Sequence, residues 1–211
     1  MRAADIATFV RVALVIAIIY LVIIKFYPYF LIFLLAIAFL LDAVDGFFAV
    51  RESSKGKVSF VLYVKAAMGN HMLKQEIKKY KEETKKYAKY GARMDIAGDR
   101  AVEYSLWIAF TYLHIIPLFV LLIVILRHSF VDAFMAAKGT SSKLKTKFAK
   151  AVYSSNIGRG GINIVKFATF SYLILVYATN APISIGYILV TILLFYILLR
   201  GAAEVYESLK S

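Results

Sequence analysis

The string Asp42-Ala-Val-Asp45-Gly46-Phe-Phe-Ala49-Val50-Arg51 closes one long apolar run, and Gly91-Ala-Arg-Met-Asp95-Ile-Ala-Gly-Asp99 opens the next. A carboxylate at the edge of hydrocarbon is costly and is usually retained for function. Asp42 and Asp45 are three residues apart, and Asp95 and Asp99 are four apart. Both spacings put the pair on one helix face. Two acidic faces on consecutive apolar helices are the pattern from which the rest of the reading grows.

A bilayer-spanning helix needs about 20 mainly apolar residues. Six segments fit: 10–26, 29–50, 96–113, 115–137, 160–179 and 183–203. The chain has 211 residues, of which 61% are hydrophobic, with a mean hydropathy of +0.72. That is too apolar for an ordinary soluble domain. The expected fold is all-α, a polytopic membrane protein with six transmembrane helices in a single domain over residues 1–211. No small-x-small cleavage pattern follows the first apolar stretch, so it reads as a retained span. There is no cysteine, which excludes disulfides and thiolate metal sites.

Charge supplies the orientation. Pro28, Pro117 and Pro182 mark three short turns that hold only Lys25. The other connections are basic: residues 51–93 hold twelve Lys/Arg and residues 127–159 hold seven. The positive-inside rule places the basic side, and with six spans both termini, in the cytoplasm. The protein is then a multi-pass protein of the cell membrane. The net charge of +13 reads as an orientation signal with attraction to anionic membrane lipids, not as a nucleic-acid surface. All four aspartates fall at the cytoplasmic edge, where the second span is expected to end and the third to begin.

Residues 52–90 form a basic arm between spans 2 and 3. Residues 58–68 are apolar but too short to span, and contain Lys65; they read as interfacial or partly re-entrant. From Asn70 an amphipathic helix is expected, with Leu73, Ile77, Tyr80 and Tyr87 on one face and ending near Gly91; it either lies on the cytoplasmic leaflet or is a solvated helical arm with no specific ligand.

Four carboxylates turned toward one another repel strongly unless cations lie between them. All-oxygen ligation selects a hard ion: Mg²⁺, Mn²⁺ or, in a roomy site, Ca²⁺. Two ions sharing these carboxylates suit phosphoryl transfer. Gly46 and Gly91 allow a ligand to approach the backbone. The competing reading has the aspartates capping helix ends or pairing with Arg93 and Arg100.

The whole string resembles the signature of the CDP-alcohol phosphotransferase family, Asp-x2-Asp-Gly-x2-Ala-Arg followed by Gly-x3-Asp-x3-Asp. Asp42, Asp45, Gly46, Ala49, Gly91, Asp95 and Asp99 match in order and internal spacing, and the six-span layout matches too. The resemblance implies a metal-dependent transferase of phospholipid biosynthesis, working as a homodimer with its active site at the cytoplasmic face. Its donor would be a CDP-linked lipid, typically CDP-diacylglycerol. Asp42, Asp45, Asp95 and Asp99 would hold two Mg²⁺ or Mn²⁺ ions. Asp99 would act as general base on an acceptor hydroxyl, with release of CMP. Gly46, Ala49, Arg51 and Gly91 would form the nucleotide site. Thr8 and Arg11 are similar to a Thr-x2-Arg found at the first span's entry. This chain departs from the signature twice. Val50 precedes Arg51 where the family has arginine directly after alanine, and 39 residues (52–90) stand where the family has a short gap.

Arg127, Arg159 and Arg200 fall at the cytoplasmic ends of the last three spans and are the candidates for an acceptor's phosphate. Arg159 lies in the glycine-rich run Gly158-Arg159-Gly160-Gly161. The stretch Arg127-His-Ser-Phe-Val-Asp132 with Lys138-Gly139 resembles the phosphatidylglycerophosphate synthase branch, which implies glycerol 3-phosphate as acceptor. An inositol phosphate or another alcohol is the alternative. Lys166 is either a snorkelling residue or an inner member of the phosphate site. His114 falls on the far side of the membrane and His128 is expected to face headgroups, so neither is a ligand. From other classes, a cation transporter or channel would use the carboxylates as an ion path, and a membrane scaffold would use only the basic arm. Carboxylates clustered at one edge argue against the first; their intact pattern argues against the second.

Overall fold

A computed structural model describes residues 3–67, 72–73, 75–77, 79–80, 91–138 and 156–210. Among these the protein is all-α, with no strand. The helices are α1 (Ala3–Ile23), α2 (Pro28–Ser53), α3 (Phe60–Ala67), α4 (Gly91–Tyr112), α5 (Leu118–Lys138), α6 (Asn156–Thr179) and α7 (Ile183–Lys210). Six of them are long and coincide with the six expected segments. By length and composition, α1, α2, α6 and α7 are able to cross a membrane.

The sequence of α1 is rich in Ile and Val, which are mediocre helix formers in water. In hydrocarbon the choice is forced, because only a helix satisfies its own backbone polar groups. The outward faces agree with that solvent: Tyr20, Leu40, Ile164 and Phe195 are all more than 60% exposed.

The three short turns share one construction. Lys25, His114 and Asn180 each adopt positive φ, near 55°. Each follows a helix end and precedes a proline by two or three residues, the usual arrangement for stopping a helix. At the second turn, Ile115 N–H donates to Phe110 O and His114 N–H to Thr111 O. Pro28 is the first residue of α2, where its fixed φ suits a helix start.

The chain divides into two compact units, Met1–Leu21 with Tyr29–Ser105, and Val22–Pro28 with Leu106–Ser211. In the first, Val15, Ile18, Leu31, Leu35 and Ala38 are buried. In the second, α7 packs against both α5 and α6. Its centre includes Trp107 edge-on to Phe170 at 5.1 Å, with Phe110 stacked on Phe170 at 6.1 Å.

The arm of the first unit corrects the expected picture. Residues 58–67 are not an isolated interfacial segment. Val58 and Ala66 are buried with Val50 and Ile77 in one small core, against which Tyr63, Leu73 and Tyr80 pack. The face Leu73–Ile77–Tyr80 was expected on the membrane or in solvent; it packs instead on the end of α2. The described residues between 72 and 80 are helical, as expected. Asn70 and Tyr87 lie outside the described residues.

Candidate metal centre

α2 does not end at the aspartates. It continues past Asp42 and Asp45 to Ser53, and closes with Gly56 N–H donating to Arg51 O and Lys55 N–H to Glu52 O. Lys55 and Gly56 both take positive φ there. Ser54 Oγ donates to Arg51 O and accepts from Val58 N–H, which turns the chain into α3. The aspartates therefore sit inside regular helix and are not caps. Asp95 and Asp99 lie one and two turns into α4.

These two helices bring Asp42, Asp95 and Asp99 together. One carboxylate oxygen from each lies within 4.8 Å of the others. Asp42 is half-buried, Asp95 exposed, and the Asp99 side chain 47% exposed. The side chain of Asp45 lies outside the described residues. Three oxygen donors at this separation, partly open to solvent, fit a hard divalent cation.

A fourth side chain joins them from α1. Arg11 is only 3% exposed. Its Nη1 pairs with Asp42 Oδ1, and its Nη2 donates to Asp99 Oδ1 at 2.6 Å. Gly98 makes this possible. A Cβ at that position would overlap Thr8 Cγ2 and lie 3.4 Å from Arg11 Nη2. Thr8 is itself buried. Glycine therefore lets α1 settle onto α4 beside the acidic face. The only sequence signal for Arg11 was its place in Thr8-x2-Arg11, and Gly98 carried none. Glu103, one turn beyond Asp99 and 3% exposed, was also overlooked. A carboxylate inside an apolar helix is itself a functional signal.

The nucleotide-site candidates occupy the neighbouring turns of α2. A Cβ at Gly46 would lie 2.9 Å from Tyr63 Oη, so α3 already fills the space that glycine leaves. Phe47 meets Phe60 and Tyr63 edge-on, at 5.3 and 5.7 Å. Arg51 lies over the Phe47 ring at 5.9 Å, and with Phe48, Glu52, Lys55 and Gly56 it lines an open cavity of about 500 Å³. Val50, at the position where the signature has arginine, is fully buried in the arm's core. The arm thus packs on Val50, next to Ala49 and Arg51. Ala49 is half-buried, and the side chain of Gly91's neighbour Ala92 is not described.

In the second unit, Arg127 is held rather than open. Its Nη2 donates to Glu204 Oε2 at 3.1 Å and its Nε to Ile197 O at 3.1 Å. The two side chains are 9% and 10% exposed. Gly201 makes room, since its Cβ would lie 2.8 Å from Arg127 Nε. Glu207 is also buried. His128, expected among headgroups, is 1% exposed. Arg200 is half-buried in the C-terminal half of α7. Residues 158–161 fall in the first turns of α6, and the Arg159 side chain lies outside the described residues. His114 lies in the turn between α4 and α5.

Compared with known proteins, the chain matches no family model, no curated protein and no solved structure. The functional reading rests on the residues and their geometry.

Proposed function

We propose that this chain is an integral-membrane, metal-dependent CDP-alcohol phosphotransferase. The observation that carries the proposal is the meeting of Asp42, Asp95 and Asp99 from two helices that the sequence separates by a 39-residue arm. Helix capping does not account for that convergence; Arg11 bridges Asp42 and Asp99, and a shared divalent cation would bring in Asp95 as well.

In this reading α4 and α5 complete a set of six spans with both termini in the cytoplasm. Their outward residues support this: Ile96, Ile108 and Tyr112 on α4, and Leu118, Leu122, Leu126 and Phe130 on α5, are all exposed and apolar. The donor is a CDP-linked lipid such as CDP-diacylglycerol. The acceptor is a small phosphorylated polyol, glycerol 3-phosphate in the first instance, with Arg200 and Arg159 as its phosphate ligands. Arg127 contributes with its charge already shared with Glu204. The enzyme works as a homodimer.

Bound by Asp42, Asp45, Asp95 and Asp99, Mg²⁺ or Mn²⁺ supplies charge stabilisation for the diphosphate under attack. The protein's own groups do the rest. Asp99 takes the proton of the acceptor hydroxyl as that oxygen bonds to the lipid-bearing phosphorus. The bond from this phosphorus to the CMP oxygen breaks, and CMP leaves with the electron pair. A carboxylate is a weak base, and its value here is position.

The test is CMP release from CDP-diacylglycerol by purified protein, against glycerol 3-phosphate, an inositol phosphate, inositol and serine. Release with a phosphorylated acceptor, lost in Asp99→Asn, is expected. Turnover that survives unchanged in Asp99→Asn contradicts the proposal.

A further inference from the structure

We propose that Arg11 is the guanidinium that grips the diphosphate of the donor in this chain. The inference rests on the phosphotransferase reading and names a residue for it.

Three observations converge on Arg11. First, it is a cation 3% exposed, set directly among the carboxylates, with Asp42 and Asp99 both on its terminal nitrogens. A buried charge with two carboxylate partners is well held, so α1 is fixed in register against α2 and α4. Second, its Nε–H is buried and has no hydrogen-bond partner among the described residues. Buried N–H groups are almost always satisfied, and one that is not calls for an explanation. An oxygen delivered by a ligand is such an explanation, and guanidinium geometry suits phosphate oxygens. Third, position 50, where the signature has arginine, holds Val50, fully buried in the arm's core. Arg51 lies over the Phe47 ring instead. Arg11 touches the acidic cluster through both Asp42 and Asp99.

The same contacts explain how one residue serves two states. Without divalent cations, Arg11 neutralises part of the carboxylate charge and holds the cluster together. When cations take the aspartate oxygens, the guanidinium is released from that duty and faces the anionic group that the cations bring. Arg11 is thus a counter-ion in one state and a diphosphate ligand in the other.

The experiment uses the full chain in detergent, with Arg11→Gln and Arg11→Lys. Mn²⁺ binding is measured alone by calorimetry; CDP and CMP binding are then measured in saturating Mn²⁺, alongside CMP release from CDP-diacylglycerol. In Arg11→Gln, CDP affinity is expected to fall at least tenfold, CMP affinity to fall less, and Mn²⁺ affinity without nucleotide to hold or rise, because a competing cation has gone. Arg11→Lys, which keeps the charge without the fork, lies between the two; it also reports if the glutamine variant fails to fold. The inference is overturned if CDP affinity stays within twofold, or if Mn²⁺ affinity falls in parallel with CDP affinity, which marks Arg11 as a support for the carboxylates only. Wild-type protein that binds Mn²⁺ but releases no CMP overturns the phosphotransferase reading itself.

Discussion

Gly98→Ala tests whether α1 is seated on the acidic face as described. The added Cβ would overlap Thr8 Cγ2 and press to 3.4 Å from Arg11 Nη2. In a helix interior, Ala is favoured over Gly by about 1 kcal/mol. Overpacking a filled site costs about 1–3 kcal/mol. Thr8 is 5% exposed and β-branched, so it cannot rotate out of the way, and the upper part of that range applies. The net expectation is a loss of roughly 1–2 kcal/mol. Thr8→Ser removes the methyl that clashes. On that background Gly98→Ala should be neutral or mildly stabilising, giving a coupling of about 1–3 kcal/mol between the two sites. Unfolding in mixed micelles, followed by circular dichroism, measures all four proteins of the cycle. If Gly98→Ala is as stable as wild type, or costs the same with and without Thr8→Ser, the account of how Arg11 reaches Asp99 is wrong.

Other predictions follow from the same structure. Glu204→Ala takes from the buried Arg127 its carboxylate partner and should cost about 3–5 kcal/mol, whereas Arg127→Met with Glu204→Leu should lie close to wild type; thermal unfolding distinguishes them. Val50→Arg forces a charge into the arm's core, and trypsin should then cleave the arm's lysines faster than in wild type; unchanged cleavage would deny that the arm is docked on Val50. Gly46→Ala should reduce stability through Tyr63 Oη, at 2.9 Å from the new carbon, and Tyr63→Phe should relieve most of the loss in the same unfolding assay.

Much of this was legible in the chain. Apolar run length and three prolines located the six long helices, because both report directly on backbone and solvent. The aspartate spacings gave the helix faces, and Asp42 of the first pair meets both members of the second. The apolar positions Leu73, Ile77 and Tyr80 were identified correctly, but periodicity names a face without naming what covers it, and here protein rather than membrane does. α2 covers the expected 29–50 and runs three residues further, because a helix continues through the interface until a residue such as Lys55 takes positive φ. Thr8-x2-Arg11 drew attention to Arg11 but not to its partners, and Glu204 drew none, because both depend on residues 88 and 77 positions away. An arginine at a span end looks the same in sequence whether it flanks a membrane or pairs with a buried glutamate. Glu103 and Glu204 were within reach of the rule that flagged the four aspartates, since both are carboxylates within apolar helices.

The central claim is that Asp42, Asp95 and Asp99 hold a divalent cation on which CDP-lipid chemistry depends. Its most direct measurement is CMP release from CDP-diacylglycerol by chelator-treated protein as Mn²⁺ or Mg²⁺ is added back. The account predicts no release without metal, saturable recovery with it, and little or no recovery in Asp42→Asn or Asp95→Asn. Release that is indifferent to metal, or full recovery in those variants, would contradict it.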